Sequence, residues 1–200
     1  MTFRRSTALA ATAALALTAC QRGAPPAKAK PRVALVLKTL NSPFFIDMQR
    51  GAQAAADRAG IDLVVQAAER EVDVDKQMQI IENLVQTGVK ALLVTPSGSR
   101  EVVPAIAKAN AANIPVLVLD TRVDAAAATE AGVRIATFVG SDNLEGGRLA
   151  GQHLLEITGG KAKVAVLEGI PGHETGDSRL KGFQEAIAKA PGMTIVASQP

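Results

Sequence analysis

Residues 33–37 (VALVL) form an apolar run without alternation, and this run limits the fold more than any other feature of the chain. A strand with one solvated face alternates apolar and polar side chains, whereas an unbroken apolar strand is covered on both faces, as in a parallel sheet flanked by helices. Pro43 stops the strand from continuing, and the pattern at Ile46, Met48 and Ala52 reads as helical. In an open α/β sheet ligands bind outside the carboxyl ends of the strands, which is where Lys38, Asn41, Phe44 and Phe45 fall. The chain has five Phe and neither Tyr nor Trp. Two adjacent Phe in a polar loop either meet a ligand or plug the core beneath the loop, and spacing alone leaves both readings open.

From Arg32 onward, short β-branched runs alternate with helical stretches, the pattern of a doubly wound α/β fold. Strands are expected at 33–37, 61–67, 91–94, 116–119, 134–139, 164–167 and 194–197. Helices are expected at 48–59, closed by Gly60, then from a cap at Asp75 to Gly88, at 102–112, and near 144–157 and 179–189. No longer repeat is present, which argues against a solenoid.

Each strand ends in a polar residue or turn. Thr95 follows the third strand, Asp120, Thr121 and Arg122 the fourth, Ser141, Asp142 and Asn143 the fifth, and a Gly-rich stretch at 168–172 the sixth. Asp120 is the best single candidate, because a carboxylate at the rim of a buried strand must find donors or stay open for a ligand. Structural capping is its alternative role, and Asp142 has the weaker case as a site residue, since residues 141–143 also make a good helix start.

The N-terminus carries a different message. Arg4 and Arg5 precede an apolar run at 8–17 that ends in Leu17, Thr18, Ala19 and Cys20. The run is too short for a permanent membrane span and suits a secretory signal peptide over residues 1–19. Cys20 is the only cysteine, so no intramolecular disulfide can form. Residues 20–31, with Gly23, prolines and Lys28 and Lys30, have the composition of a flexible tether. Removing Arg4 and Arg5 takes the formal charge from +3 to +1, since residues 1–19 hold no other charged side chain. No basic stripe with interleaved aromatics is present, so nucleic acid is not an expected partner.

An enzyme finds little support. No nucleophile motif or dinucleotide fingerprint occurs, and residues 169–176 lack both the Gly-x-Gly-x-x-Gly order and the Gly-Lys-Ser/Thr ending of phosphate loops. His153 and His173 are too far apart to read as a local metal site. No cofactor is expected.

The chain resembles the type I periplasmic sugar-binding proteins. The matching segments are 39–45 (TLNSPFF), 92–96 (LLVTP), 112–116 (ANIPV), Leu119 with Asp120, 141–143 (SDN) with Gly146 and Gly147, and Arg179 with Gly182 and Phe183. Leu17 to Cys20 likewise resembles the lipobox of bacterial lipoproteins, in which the cysteine is acylated; an ordinary signal peptide with a chance cysteine is the alternative. The resemblance implies two doubly wound parallel-sheet lobes closing over one monosaccharide or polyol, an N-terminal lobe at 32–139 and a partial C-terminal lobe at 140–200, with a hinge segment near 137–141. It implies sugar stacking on Phe44 and Phe45, hydrogen bonds to Asp120, and donation from Arg179, with Lys38, Asn41, Thr95 and Thr121 completing the ligand-binding set. It also implies an ABC permease as partner and a lipid-anchored location in the periplasm or cell envelope; Gln21 leaves the choice of membrane open.

Several positions depart from the ribose-binding pattern. Lys38 stands for a serine, Ser42 and Thr95 for asparagines, and Thr121 for an arginine, with Arg122 one residue late. Lys38 then takes over part of the lost positive charge, favouring a polyol, another pentose or hexose, or an acidic sugar; a surface lysine covering the loop is the alternative. The second lobe looks cut short, and the 200-residue chain is expected to bind more weakly than an extended version. Other readings are a sugar-sensing lipoprotein for a chemoreceptor or membrane sensor, a truncated protein without function, and a LacI-type repressor core, which lacks its DNA-binding head here.

Overall fold

The computed structural model describes residues 29–200. The expected signal peptide and Cys20, with most of the expected tether, lie outside the described residues. In chain order the elements are β1 (Arg32–Thr39), α1 (Pro43–Ala59), β2 (Asp62–Ala68), α2 (Val74–Gln86), β3 (Ala91–Val94), α3 (Val103–Ala111), β4 (Val116–Leu119), α4 (Ala125–Glu130) and β5 (Thr137–Val139), then α5 (Asn143–Thr158), β6 (Lys161–Leu167), α6 (Glu174–Ile187) and β7 (Gly192–Gln199). The first five strands make one parallel sheet in the order β2-β1-β3-β4-β5; β6 and β7 pair in a second parallel sheet.

The apolar run in β1 is explained by the two cores on either side of it. Ala34 and Val36 face a cluster with Ile81 and Leu84 of α2 and Ile106 of α3, while Leu35 and Leu37 face Phe45, Met48 and Ala52 of α1. All four of these β1 residues are fully buried. The second sheet differs, because β6 alternates half-buried with exposed residues and Leu167 is 87% exposed at its end. One face of that sheet is covered, as its period of two requires.

Five expectations need correction. α1 begins at Pro43 rather than near Met48, because proline's fixed φ and missing N–H suit a first helical position. Asp73, not Asp75, is the cap residue of α2. α6 begins at Glu174, five residues earlier than expected, so Gly176 lies in a helix instead of a loop. The short α4 was not expected at all, and β5 is only three residues long.

At the other end of α1, Gly60 adopts a left-handed conformation (φ 68°) and its N–H reaches the Ala56 and Asp57 carbonyls, as a C-cap requires. α5 and α6 pack against each other through glycines: a Cβ on Gly147 would strike the Arg179 carbonyl oxygen, and one on Gly182 the Leu144 carbonyl oxygen. This close approach brings α6, and with it Arg179, against the start of α5.

Candidate functional site

In the order β2-β1-β3-β4-β5 the chain leaves β1 toward opposite sides, which makes β1 and β3 the switch point where their carboxyl ends open a crevice. Lys38 is the penultimate residue of β1 there. It is 3% exposed, so it is no surface lysine. Burial pushes its ammonium below the ordinary lysine range, while Asp120 and Glu71 pull the other way and Arg179 adds to the depression. Lys38, Asp120 and Arg179 therefore share one electrostatic neighbourhood, with Arg179 contributed by α6.

Asp120 follows β4 with φ 59°, a left-handed conformation rare outside glycine but tolerated by aspartate. Its N–H donates to the Val139 carbonyl at 2.8 Å, so the turn is pinned to the end of β5. The Thr121 hydroxyl donates to Asp120 Oδ2 at 3.0 Å. That leaves acceptor capacity on the carboxylate for a ligand hydroxyl. Arg122 turns away and lies over the Phe138 ring at 3.7 Å, so it does not supply a guanidinium to the cleft.

The two phenylalanines separate because they sit in the first turn of α1. Phe44 is 54% exposed, whereas Phe45 is 4% exposed and packs on Leu35 and Leu37. Their rings meet edge to face at 5.2 Å. Phe45 thus backs the ring of Phe44 from the core, and only Phe44 offers an open face.

Asn41 and Thr95 are also more committed than spacing suggests. The Asn41 amide donates to the Glu69 carbonyl at 2.8 Å, as does the Thr39 hydroxyl at 2.9 Å, which ties the loop after β1 to the end of β2. The Thr95 hydroxyl is fully buried and donates to the Met48 sulfur at 3.7 Å.

Four further residues bear on this set, and the sequence singled out all but Gln77. Gln77 of α2 is fully buried; its amide donates to the Thr95 carbonyl at 2.9 Å and its oxygen accepts the Ser97 N–H at 2.8 Å. Asn143 accepts from Arg179 Nε at 2.9 Å. Asp142 caps α5 by accepting from the Glu145 N–H at 3.0 Å, the capping role anticipated for it. Finally, His173 is buried at the start of α6. Asp142 and Asn143 carried a signal in their place between a strand and a helix, and His173 in its Gly-rich loop; Gln77 carried none.

A family described as the periplasmic binding protein domain matches residues 33–200. The chain belongs to the periplasmic binding protein family. It is 39% identical over 174 residues to the ribose import binding protein of Escherichia coli strain K12, covering 87% of this chain and 55% of that protein. It is 36% identical over 197 residues to a D-ribose/D-allose-binding protein of Pseudomonas aeruginosa, covering 94% of this chain and 60% of that one. Among solved structures, an ABC transporter periplasmic solute-binding protein of Actinobacillus succinogenes 130z with bound D-allose superposes with a TM-score of 0.79 at 44% identity, over 85% of this chain and 59% of that chain. The chain thus spans a little over half the length of these relatives. The type I α/β architecture is the one expected from the sequence, and the relatives it matches are themselves named as binding proteins.

Proposed function

We propose that this periplasmic binding protein captures a monosaccharide or polyol between its two lobes and delivers it to an ABC import permease. The observation that carries the reading is the shared electrostatic neighbourhood of a carboxylate and two cations at the switch point, Asp120 and Lys38 from the first lobe and Arg179 from the second, with the exposed ring of Phe44 at the start of the helix that follows β1. A sugar offers an apolar C–H face and a ring of hydroxyls. Phe44 meets the first; Asp120 accepts from the hydroxyls, and Lys38 and Arg179 donate to oxygens. Thr121 orients Asp120, and Asn41 and Thr95 shape the loops that hold the set.

Residues 1–19 act as an export signal and Cys20 as the acylated anchor, which keeps the domain at the envelope near its permease. Membrane fractionation of Cys20→Ser tests the anchor; retention of the variant in the membrane would count against it. Ligand capture is tested by a dye-based thermal melt against pentoses, hexoses, polyols and sugar acids, since a ligand selective for the folded state raises the melting temperature. A selective rise for one sugar class supports the reading, and a cooperative melt that no sugar shifts removes it. Binding to purified permease against a receptor ectodomain separates transport from sensing.

A further inference from the structure

Helix caps favour Ser, Thr, Asp or Asn, whose short side chains accept from the first helical amides. At the start of α6 that position belongs to His173, and its ring makes no capping bond. The backbone is fixed nonetheless, because the Gly176 and Asp177 N–H groups donate to its carbonyl at 3.0 and 3.1 Å. The imidazole is free of local duty and 6% exposed.

What surrounds the ring comes mostly from the other lobe. The Ser97 backbone, Lys38 at the end of β1 and Glu71 after β2 act on it, with Asp177 of its own helix. One residue on, the Glu174 N–H donates to Ser99 Oγ at 3.2 Å, so the start of α6 is joined directly to the loop after β3. Ser97 Oγ and one Glu174 carboxylate oxygen are buried at this joint without a hydrogen-bond partner. A seam with unsatisfied polar atoms is weakly held, and one additional charge can decide whether it stays shut.

We propose that His173 is a positioning residue for ligand capture, whose neutral imidazole, carried by the second lobe into the first beside Lys38, holds the lobes closed, and whose protonation releases them. The proposal rests on the sugar-capture reading above. Burial, and then the Lys38 ammonium, push the imidazole below the ordinary histidine range, against the opposing pull of the Ser97 backbone, Glu71 and Asp177. In the open form the ring is in water, near an ordinary pKa of about 6.5. As pH falls through that value the open form takes up a proton that the closed form resists. Closure, and with it affinity, is complete above this range and lost below it.

The test is sugar affinity as a function of pH, with D-ribose and D-allose as probes, alongside NMR titration of the imidazoles. The chain has two histidines, so a His153→Gln variant assigns the His173 signals. Affinity is expected to fall at least about fivefold between pH 7.5 and 5.5, since each pH unit of difference between the open and closed pKa is worth about tenfold. In His173→Gln, which keeps a donor but cannot charge, affinity should vary by less than about twofold. Lys38→Met should raise the His173 midpoint by removing the neighbouring cation. Parallel pH profiles for the wild type and His173→Gln, or a His173 midpoint that ignores Lys38→Met, would overturn the proposal. Should neither sugar bind at any pH while the midpoint stays low and responds to Lys38→Met, the joint stands and the sugar reading fails.

Discussion

Arg179 on α6 donates from Nε to Oδ1 of Asn143 on α5 at 2.9 Å, so the guanidinium shared with Lys38 and Asp120 is aimed by a neighbouring helix and not by its own. Asn143 is 6% exposed and occupies the first position of α5, just after the Asp142 cap. Its orientation is therefore set by backbone geometry, and Arg179 inherits it.

Asn143→Ala should lower sugar affinity about tenfold or somewhat more, the loss of one hydrogen bond to a charged group being worth roughly 1.5 kcal/mol. The melting temperature should change little, because the cap at Asp142 remains. Isothermal titration calorimetry with the best sugar checks this; unchanged affinity would mean that Arg179 is held by something else.

Gly147→Ala and Gly182→Ala address how α6 reaches this position. Each added methyl would meet a backbone carbonyl oxygen of the opposite helix, Arg179 for the first and Leu144 for the second, and backbone cannot swing aside as a side chain can. Overpacking of this kind costs about 1–3 kcal/mol. Chemical denaturation should show that loss for either variant, whereas Gly146→Ala, whose Cβ meets nothing within 4 Å, serves as the neutral control.

The buried strands and the residues at their ends were legible because periodicity and chain order report them directly. Val33 to Leu37 announces a sheet covered on both faces, and Asp120 and Lys38 follow from where such strands stop. Side-chain direction was not legible. Phe44 and Phe45 looked alike until Pro43 was placed at the first turn of α1, which turns one ring out and the other in. Gln77 sits on the buried face of α2 beside Ile80, Ile81 and Leu84, and nothing in the helical pattern says that a glutamine there stitches Thr95 and Ser97 together. Its partners lie 18 and 20 residues away, beyond any local pattern. Asn143 acts across elements in the same way, on Arg179 of α6.

Lys38 should make stability rise with pH in the alkaline range. Its pKa is lower in the folded protein than the unfolded value near 10.5, so between the two the unfolded chain binds the extra proton and folding gains as pH increases. Lys38→Met should flatten that rise in denaturation curves from pH 8 to 10.5. The same variant should weaken sugar binding about tenfold or more, the scale of a lost charged hydrogen bond. A rise that persists in Lys38→Met would assign it to another group.

The two phenylalanines offer the sharpest separation of fold from function. Phe45 fills the core between β1 and α1, so Phe45→Ala should destabilise the protein by about 3–5 kcal/mol, the range for emptying a buried aromatic site. Phe44 is more than half exposed and its removal leaves little cavity, so Phe44→Ala should cost under about 1 kcal/mol in stability. The order reverses for the ligand. Phe44→Ala removes the open face and should reduce affinity about tenfold, within the range of aromatic contacts once the area they bury is included. Phe44→Trp, which enlarges that face, should retain binding. Denaturation midpoints and calorimetric affinities on the same preparations would decide it: a Phe44→Ala protein that binds as tightly as the wild type would show that the sugar does not stack there, whatever Phe45 does for the fold.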